Sequence, residues 1–452
     1  MGGPTRHLFF TDWEIEILRG VHRRWHRLQK HPEPILKPEM PWEGKIIYTY
    51  GGALLDDPSG RGYRLYYTAM GHGLDKRSYV CLADSTDGVH FNRPNLGKFE
   101  FEGSTDNNIV FVSPDEQLAS LSVVQDRTDP DATRRWKMLY TVEGQTPYDC
   151  MMRTAYSQDG RRFDRLATAP ITPFRSDTSN SLLRDPADGS WVIFCRPGFI
   201  DRRIARITAK QFEGPYSQPQ LILEPDAQDG PQVQFYGMPV VLYEGWWIGF
   251  LMIYRTEEQD LDKNKMQGRI EVELAFSRNG WAWHRVPGRP VFLPCGTEGE
   301  WDSGMVWCGG GLVRLPDDRL LIVYTGTHYN HGQEDENYTA SIGSATLRRD
   351  GFVSLAAAEE EAEILTKVLV GEPRMELWVN ASVEPEGFLT CEVDDADGKP
   401  LPGSKLTDCI PLKEDCTAHR FQWHSAERKV WPDAIRLRFR MKRAEIFSFW
   451  FE

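Results

Sequence analysis

Apolar and polar residues fall in short runs along most of the chain, and the runs come in sets. Tyr63–Thr68 and Tyr79–Ala83, Trp136–Val142 and Met151–Tyr156, Trp191–Arg196 and Arg203–Thr208 are rich in β-branched and aromatic residues. So are Trp246–Tyr254, Ile270–Phe276, Leu320–Thr325 and Thr339–Thr346. Clusters of Asp, Gly, Pro and Asn separate them, which is the pattern of β-strands joined by turns. Helical periodicity is nearly absent; Asp12–Gln29 is the one stretch compatible with a short helix.

A phrase recurs after the third run of several sets. It reads Ser85-Thr86-Asp87-Gly88-Val89-His90-Phe91, then Ser157-Gln158-Asp159-Gly160-Arg161-Arg162-Phe163, then Ser277-Arg278-Asn279-Gly280-Trp281-Ala282-Trp283, with a degenerate Arg349-Asp350-Gly351-Phe352. Asp-Gly or Asn-Gly between strands predicts a type I′ hairpin turn with φ > 0 at both central residues. The aromatic three residues after each Gly is expected to pack back on its sheet. The intervals are 72, 120 and 71 residues (87 to 159, 159 to 279, 279 to 350). The middle one is close to two units of ~60 residues, a period that indicates a repeat architecture.

The runs group into five units, which predicts a five-bladed β-propeller over residues 1–358. The expected innermost strands are Ile46–Leu55, Leu121–Gln125, Ser181–Leu183, Met238–Tyr243 and Gly310–Arg314. In the third unit Glu213-Gly214-Pro215-Tyr216 replaces the phrase. Leu8-Phe9-Phe10 is expected to close the ring on the last blade. Ala356–Ala362 reads as an acidic, Ala-rich linker. Residues 363–452, with alternating runs at Met375–Val379, Gly387–Val393, Arg436–Phe439 and Ile446–Phe451, predict a small β-sandwich. The fold class is all-β.

Composition narrows the partners. The chain has 452 residues and a net charge of −13 with no long basic block, which argues against nucleic acid. No apolar run approaches the ~20 residues of a membrane span, and the N-terminus has no signal-peptide pattern, so a cytoplasmic location is expected. Cys81, Cys150, Cys195, Cys295, Cys308, Cys391, Cys409 and Cys416 show no zinc-like spacing and read as buried free thiols. No metal or other cofactor is expected. Aromatic residues reach 12%, which suits strands and also suits a carbohydrate site, where flat rings stack on sugar C–H faces.

In a propeller the innermost strands begin near one axis, so polar residues at their starts are the candidates for chemistry. These are Glu43 and Tyr50, Asp106-Asn107-Asn108, Asp177-Thr178-Ser179-Asn180, Gln234-Phe235-Tyr236, and Glu298, Glu300 and Asp302 ahead of Trp307. Ile270-Glu271-Val272-Glu273-Leu274 puts two carboxylates on one strand face, reaching the funnel or pairing with Arg255 and Arg269. His328-Tyr329-Asn330-His331 should overhang the same mouth; its HxxH spacing lacks a third metal ligand.

A five-bladed propeller followed by a β-sandwich resembles the glycoside hydrolases of the invertase, levansucrase and arabinanase type, families 32, 43 and 68. Their first-blade Asp nucleophile has no counterpart in Tyr48-Thr49-Tyr50-Gly51-Gly52. Arg184-Asp185-Pro186 matches their Arg-Asp-Pro stabiliser in letters but falls in a turn, which points to Asp177 instead. Their Glu-Cys acid motif is absent, Cys391-Glu392 lying in the C-terminal segment. The resemblance implies a glycoside hydrolase using two carboxylates. Glu271, Asp302 and Asp177 are the catalytic candidates, with Glu271 the acid because its strand is expected to bury it. Glu43, Tyr50, Asn108, Asn180, Arg196, Tyr236, Arg255, Glu273, Trp307, His328 and His331 are the substrate-binding candidates. A non-catalytic glycan-binding protein is the alternative from another class. A phosphorylase using Arg196, Arg202, Arg203 and Arg255, or a lyase with a Tyr50, Tyr236 or His328 base, are further chemistries for the same scaffold.

Overall fold

The computed structural model describes residues 6–52, 54–70, 77–113, 117–143, 150–165, 169–177, 179–197, 202–257, 266–333, 335–370, 376–424 and 431–452. Thr178 and Met375, named above, lie outside them. The chain is all-β; among the described residues there is no α-helix, hence none able to cross a membrane. It divides into two compact units, Leu28–Thr346 and Met1–Arg27 with Leu347–Glu452.

The larger unit is a succession of antiparallel meanders. The first runs Ile46–Tyr48, Tyr63–Met70, Ser78–Ser85, Phe91–Asn92. The second runs Gln117–Gln125, Trp136–Glu143, Met151–Ser157, Asp164–Arg165. The third runs Ser181–Arg184, Trp191–Cys195, Ile204–Ala209, Gln220–Leu223. A larger sheet then joins two meanders through the parallel bridge Ile270↔Met305. One is Val233–Gly237, Trp246–Thr256, Gly268–Ser277 and His284–Arg285. The other is Met305–Cys308, Arg319–Thr327, Ser341–Arg348 and, as its outermost strand, Gln29–Lys30. The first strands of these last two meanders begin earlier than the sequence indicated, at Val233 and Met305. In each, the path bends at a Gly-containing break (Gly237-Met238-Pro239 and Gly309-Gly310) before a second short strand.

Hydrogen bonds link each meander to the next. Tyr48 Oη donates to Leu118 O at 2.9 Å, Leu182 N to Ser122 Oγ at 3.1 Å, and Val240 N to Ser181 Oγ at 3.0 Å. The last meets the first, with Thr49 N donating to Thr325 Oγ1 at 2.8 Å and Tyr63 Oη to Arg314 O at 2.8 Å. Leu8-Phe9-Phe10 takes no part in that closure. His7 and Leu8 pair with Phe449 and Ser448 in the other unit, and Gln29–Lys30 supplies the strand expected of them. The first 27 residues therefore group with the C-terminal segment rather than with 28–346.

The recurring phrase sits at matched positions. Each copy joins the third strand of its meander to the fourth, with registers Phe91↔Ser85, Tyr156↔Asp164 and Phe276↔His284. Ser85, Ser157 and Ser277 Oγ accept the N–H of Gly88, Gly160 and Gly280 at 2.9, 2.9 and 3.0 Å. Asp87, Asp159 and Asn279 Oδ1 accept N–H groups beyond the Gly at 2.8–2.9 Å. Only the glycines have positive φ, at 78°, 72° and 70°. These are therefore Ser/Asx-braced loops and not the expected type I′ turns. Phe91 and Phe163 are buried beneath them. The degenerate copy belongs to the smaller unit, where it is Asp350 that takes the positive φ.

In the smaller unit, Leu377–Asp395 and Ala434–Phe451 pair along their lengths with a break between Val383 and Phe388. Each absorbs two of the short runs read from the sequence. Ile15–Arg19 and Val21–Trp25, in the stretch compatible with a helix, are strands paired with Ala362–Thr366 and Val353–Ala357. Tertiary pairing overrides the weak local pattern there.

Candidate active site

In an antiparallel meander the starts of strands one and three and the ends of strands two and four share one edge. Asp177, Tyr236, Asp302 and Trp307 lie at or just before first strands, Glu271 at the start of a third, and Arg196, Arg255 and His328 at or after the ends of second strands. The candidates thus occupy one edge of their sheets, and the Ser-x-Asp-Gly turns occupy the other.

Several converge. Asp177 is ion-paired with Arg196, whose side chain is wholly buried while that of Asp177 is 16% exposed. Arg196 Nη1 also donates to Tyr236 O at 2.8 Å, and its guanidinium lies 4.8 Å from the Tyr236 ring centre. Tyr236 packs edge-on against His331 and Tyr254, at 5.3 and 5.8 Å. His331 Nδ1 lies 3.0 Å from both Tyr254 Oη and Met266 O. Tyr50 packs against Trp307, with ring centres 5.5 Å apart. Burial, followed by the fields of Tyr236, Tyr338, Tyr48 and Asp177, holds the Tyr50 hydroxyl well above the ordinary tyrosine range. Tyr50, Tyr236 and Asp177 are therefore electrostatic neighbours contributed by different meanders. The Trp307 Nε1 is buried with no hydrogen-bond partner among the described residues.

Arg202 lies under the same group. It donates to Gln234 Oε1 at 2.6 Å, and its guanidinium lies 5.3 Å from the Tyr254 ring centre. Burial, then the nearby Arg196 charge, lowers its pKa to about 10. The sequence offered Arg202 only as a phosphorylase residue and did not single out Tyr254 or Tyr338. Tyr254 lies near the end of a strand whose residues are almost all apolar, so no pattern marks it.

Glu271 and Asp302 both lie near Cys295. Glu271 Oε1 accepts the Cys295 N–H at 3.2 Å, and the side chain is half-buried rather than buried as expected. Burial pushes the Cys295 thiol up to about 11, and the fields of Glu271 and Asp302 both act on it in the same direction. Asp302 is 2% exposed and its Oδ2 accepts from Lys30 Nζ at 2.8 Å and Tyr324 Oη at 2.9 Å. Tyr324 and Lys30 belong to the second and outermost strands of the last meander, so this carboxylate lies over the sheet, away from its first strand.

Other candidates are committed to structure. Glu43 is fully buried; it accepts from Tyr67 Oη at 2.6 Å, Arg93 Nε at 2.7 Å, and the Glu39 and Met40 N–H groups. Asn108 bonds Trp42 Nε1, Tyr67 Oη and Leu82 O, inside the same sheet. Asn180 is tied to Thr141, Ser176 and the Asp177 carbonyl, which fixes the loop that carries Asp177. Glu273 accepts from Arg285 Nη2 at 2.5 Å and Arg255 Nη2 at 3.4 Å, the ion-pair outcome foreseen for this strand. His328 is exposed and packs at a tilt against Tyr329. Asp185 lies in the turn after a first strand, on the edge opposite Asp177. Among the described residues no group of His, Cys, Asp and Glu is arranged to hold a metal ion.

No protein-family model and no curated protein matches the chain. Among solved structures, it is similar to an endo-arabinase from Bacteroides thetaiotaomicron, at TM-score 0.44 and 14% identity over 71% of this chain and 96% of that one. It is also similar to a thermostable family-43 glycoside hydrolase, at TM-score 0.46 and 15% identity over 70% and 94%. A fructofuranosidase from Schwanniomyces occidentalis, complexed with fructosylnystose, is similar at TM-score 0.45 and 12% identity over 92% and 96%.

Proposed function

We propose that the protein is a glycoside hydrolase. Its larger unit reads as a five-bladed β-propeller, a count supported by the successive meanders and by the bonds from the last to the first. The paired long strands of the smaller unit read as a β-sandwich bent at Val383/Phe388. The observation that carries the functional reading is the Asp177–Arg196–Tyr236 group. A carboxylate still open to solvent is held by a buried guanidinium, beside the aromatic side chains of Tyr50 and Tyr236. Flat rings beside a fixed carboxylate suit a sugar, with Asp177 as the reacting carboxylate.

Glycosidic cleavage needs a second carboxylate. Glu271 fits that part better than Asp302, since its half-exposed carboxylate accepts a backbone N–H and lies in the field of Arg269 rather than being bonded to a lysine. Asp302, bonded to Lys30 and Tyr324, acts as a positioning residue. Tyr50, Tyr236, Trp307, Arg196 and His331 would orient the sugar. The test is release of nitrophenol from a panel of aryl furanosides and pyranosides. Turnover abolished by both Asp177→Asn and Glu271→Gln supports the reading, and turnover untouched by either contradicts it.

One observation favours the non-catalytic alternative. Asp177 is the single carboxylate that the described residues bring against Tyr50, Tyr236 and Arg196. A parent that binds sugars and cleaves none of the panel would select it.

A further inference from the structure

The edge of the larger unit opposite Asp177 carries a groove of about 440 Å³. It is built from the turn after Ser181–Arg184, the strand Ile204–Ala209 and the third copy of the recurring phrase. In that copy the residue after the Gly is Trp281, where the other copies have Val89 and Arg161. Trp281 covers the buried Arg206 guanidinium, yet it remains 40% exposed.

Its surroundings hold it as a platform. Asn279 Oδ1 accepts the Trp281 N–H at 2.9 Å, and the Arg206 guanidinium lies 3.9 Å from the ring centre. Arg206 is 1% exposed and donates through Nη2 to Asp185 Oδ2 at 2.6 Å. Its Nε and Nη1, also buried, make no hydrogen bond among the described residues. Buried guanidinium N–H groups left without acceptors are costly, so a ligand oxygen here would be favoured. The remaining polar lining is charge-balanced: Lys210 Nζ donates to Asp188 Oδ2 at 3.0 Å, as Arg206 does to Asp185. Ser190 completes a set of hydroxyl and carboxylate groups beside the ring.

We propose that this groove binds a neutral polysaccharide chain, one sugar stacking on Trp281 and its hydroxyls bonding Asp185, Asp188, Arg206 and Lys210. The ring offers the flat apolar surface that a sugar's C–H face needs, and the paired charges offer both donors and acceptors without a net field. A polyanion gains nothing from a groove whose cations are already neutralised. The site is separate from the Asp177 group and does not depend on which reaction, if any, takes place there. It would hold a polymer at the far edge of the unit.

The test is affinity electrophoresis of the full chain through gels containing arabinan, inulin, β-mannan or xylan. Polygalacturonate serves as the anionic polymer and a plain gel as reference. At least one neutral polymer should retard the parent, and Trp281→Ala should weaken that retardation by about tenfold, the loss expected of an aromatic anchor. Trp281→Phe should retain part of it. Asp188→Ala, whose side chain is 53% exposed, removes a bonding group without touching the stack and should also weaken it. Retardation by polygalacturonate alone, by no neutral polymer, or equally in the parent, Trp281→Ala and Asp188→Ala would overturn the proposal.

Discussion

Arg196 and Asp177 form an ion pair of unequal exposure: the guanidinium side chain is 0% exposed and the carboxylate side chain 16%. Arg196 also holds the Tyr236 carbonyl, and an Asn at 177 would keep an oxygen able to accept from its guanidinium. Arg196→Met should therefore cost stability through the lost bonds to Asp177 and the Tyr236 carbonyl, by about 3 kcal/mol. Asp177→Asn, at the exposed end, should cost less than half of that. Urea unfolding of the two variants measures the difference. Equal losses would mean that Asp177, and not Arg196, anchors the pair.

The strand Gly268–Ser277 gives an internal comparison. Glu273 is buried against Arg285, which also bonds Asp229 at 2.8 Å, whereas Glu271 is half-exposed with a backbone donor. Glu273→Gln should lower the unfolding midpoint and leave KM unchanged in any assay the parent supports. Glu271→Gln should do the reverse, with near-parental melting and reduced turnover. Thermal melts alongside steady-state kinetics check both.

The turn glycines separate by what lies over them. A Cβ on Gly160 would stand 2.5 Å from Tyr66 Oη and 2.9 Å from Trp136, but one on Gly280 would stand 3.1 Å from Trp247. Both positions need positive φ, at 72° and 70°. Gly280→Ala should cost about 1 kcal/mol from backbone strain. Gly160→Ala adds the overlap and should cost about 2–3 kcal/mol. Denaturant midpoints of the two variants give the order.

Asp394 sets a pH dependence in the smaller unit. It is fully buried; burial, then the adjacent Glu392, raises its carboxyl to about 6 despite Arg438. Its Oδ1 has no hydrogen-bond partner among the described residues. The folded chain therefore holds this proton to higher pH than the unfolded chain, whose carboxyls titrate near ~4. The associated stability is fully present below about pH 4 and is lost as pH rises through about 6. Asp394→Asn should remove that dependence and raise stability at pH 8 by on the order of 2 kcal/mol. Urea unfolding at pH 5 and pH 8 measures it; an unchanged pH dependence would show the acid to be ionised in the folded chain.

How much the sequence revealed depended on locality. The Ser-x-Asp-Gly phrase located its turns because every bond that shapes them runs within a few residues. Its backbone class was misjudged because Ser85, Ser157 and Ser277 do the bracing that a second positive φ would otherwise do. Leu8 was assigned to the wrong partner since its pairing with Ser448 spans almost the whole chain. Glu43 and Asn108 looked free because their partners are distant in the sequence, Tyr67 and Arg93 for the first and Trp42 and Tyr67 for the second. Asp177 and Arg196 were both identified, but not as a pair. Lys30 carried no signal, being one of several cations that follow Arg23 and having its partner Asp302 far off in the sequence.

Turnover of Asp177→Asn on an aryl glycoside that the parent cleaves tests the account most directly. A general acid–base or nucleophilic carboxylate predicts a loss of about 10²–10⁴-fold in kcat with the fold intact by thermal melting. Asp302→Asn, as a positioning change, should lose less. Parental turnover in Asp177→Asn would contradict the account, since the one solvent-open carboxylate in the Arg196–Tyr236 group would then take no part in the reaction.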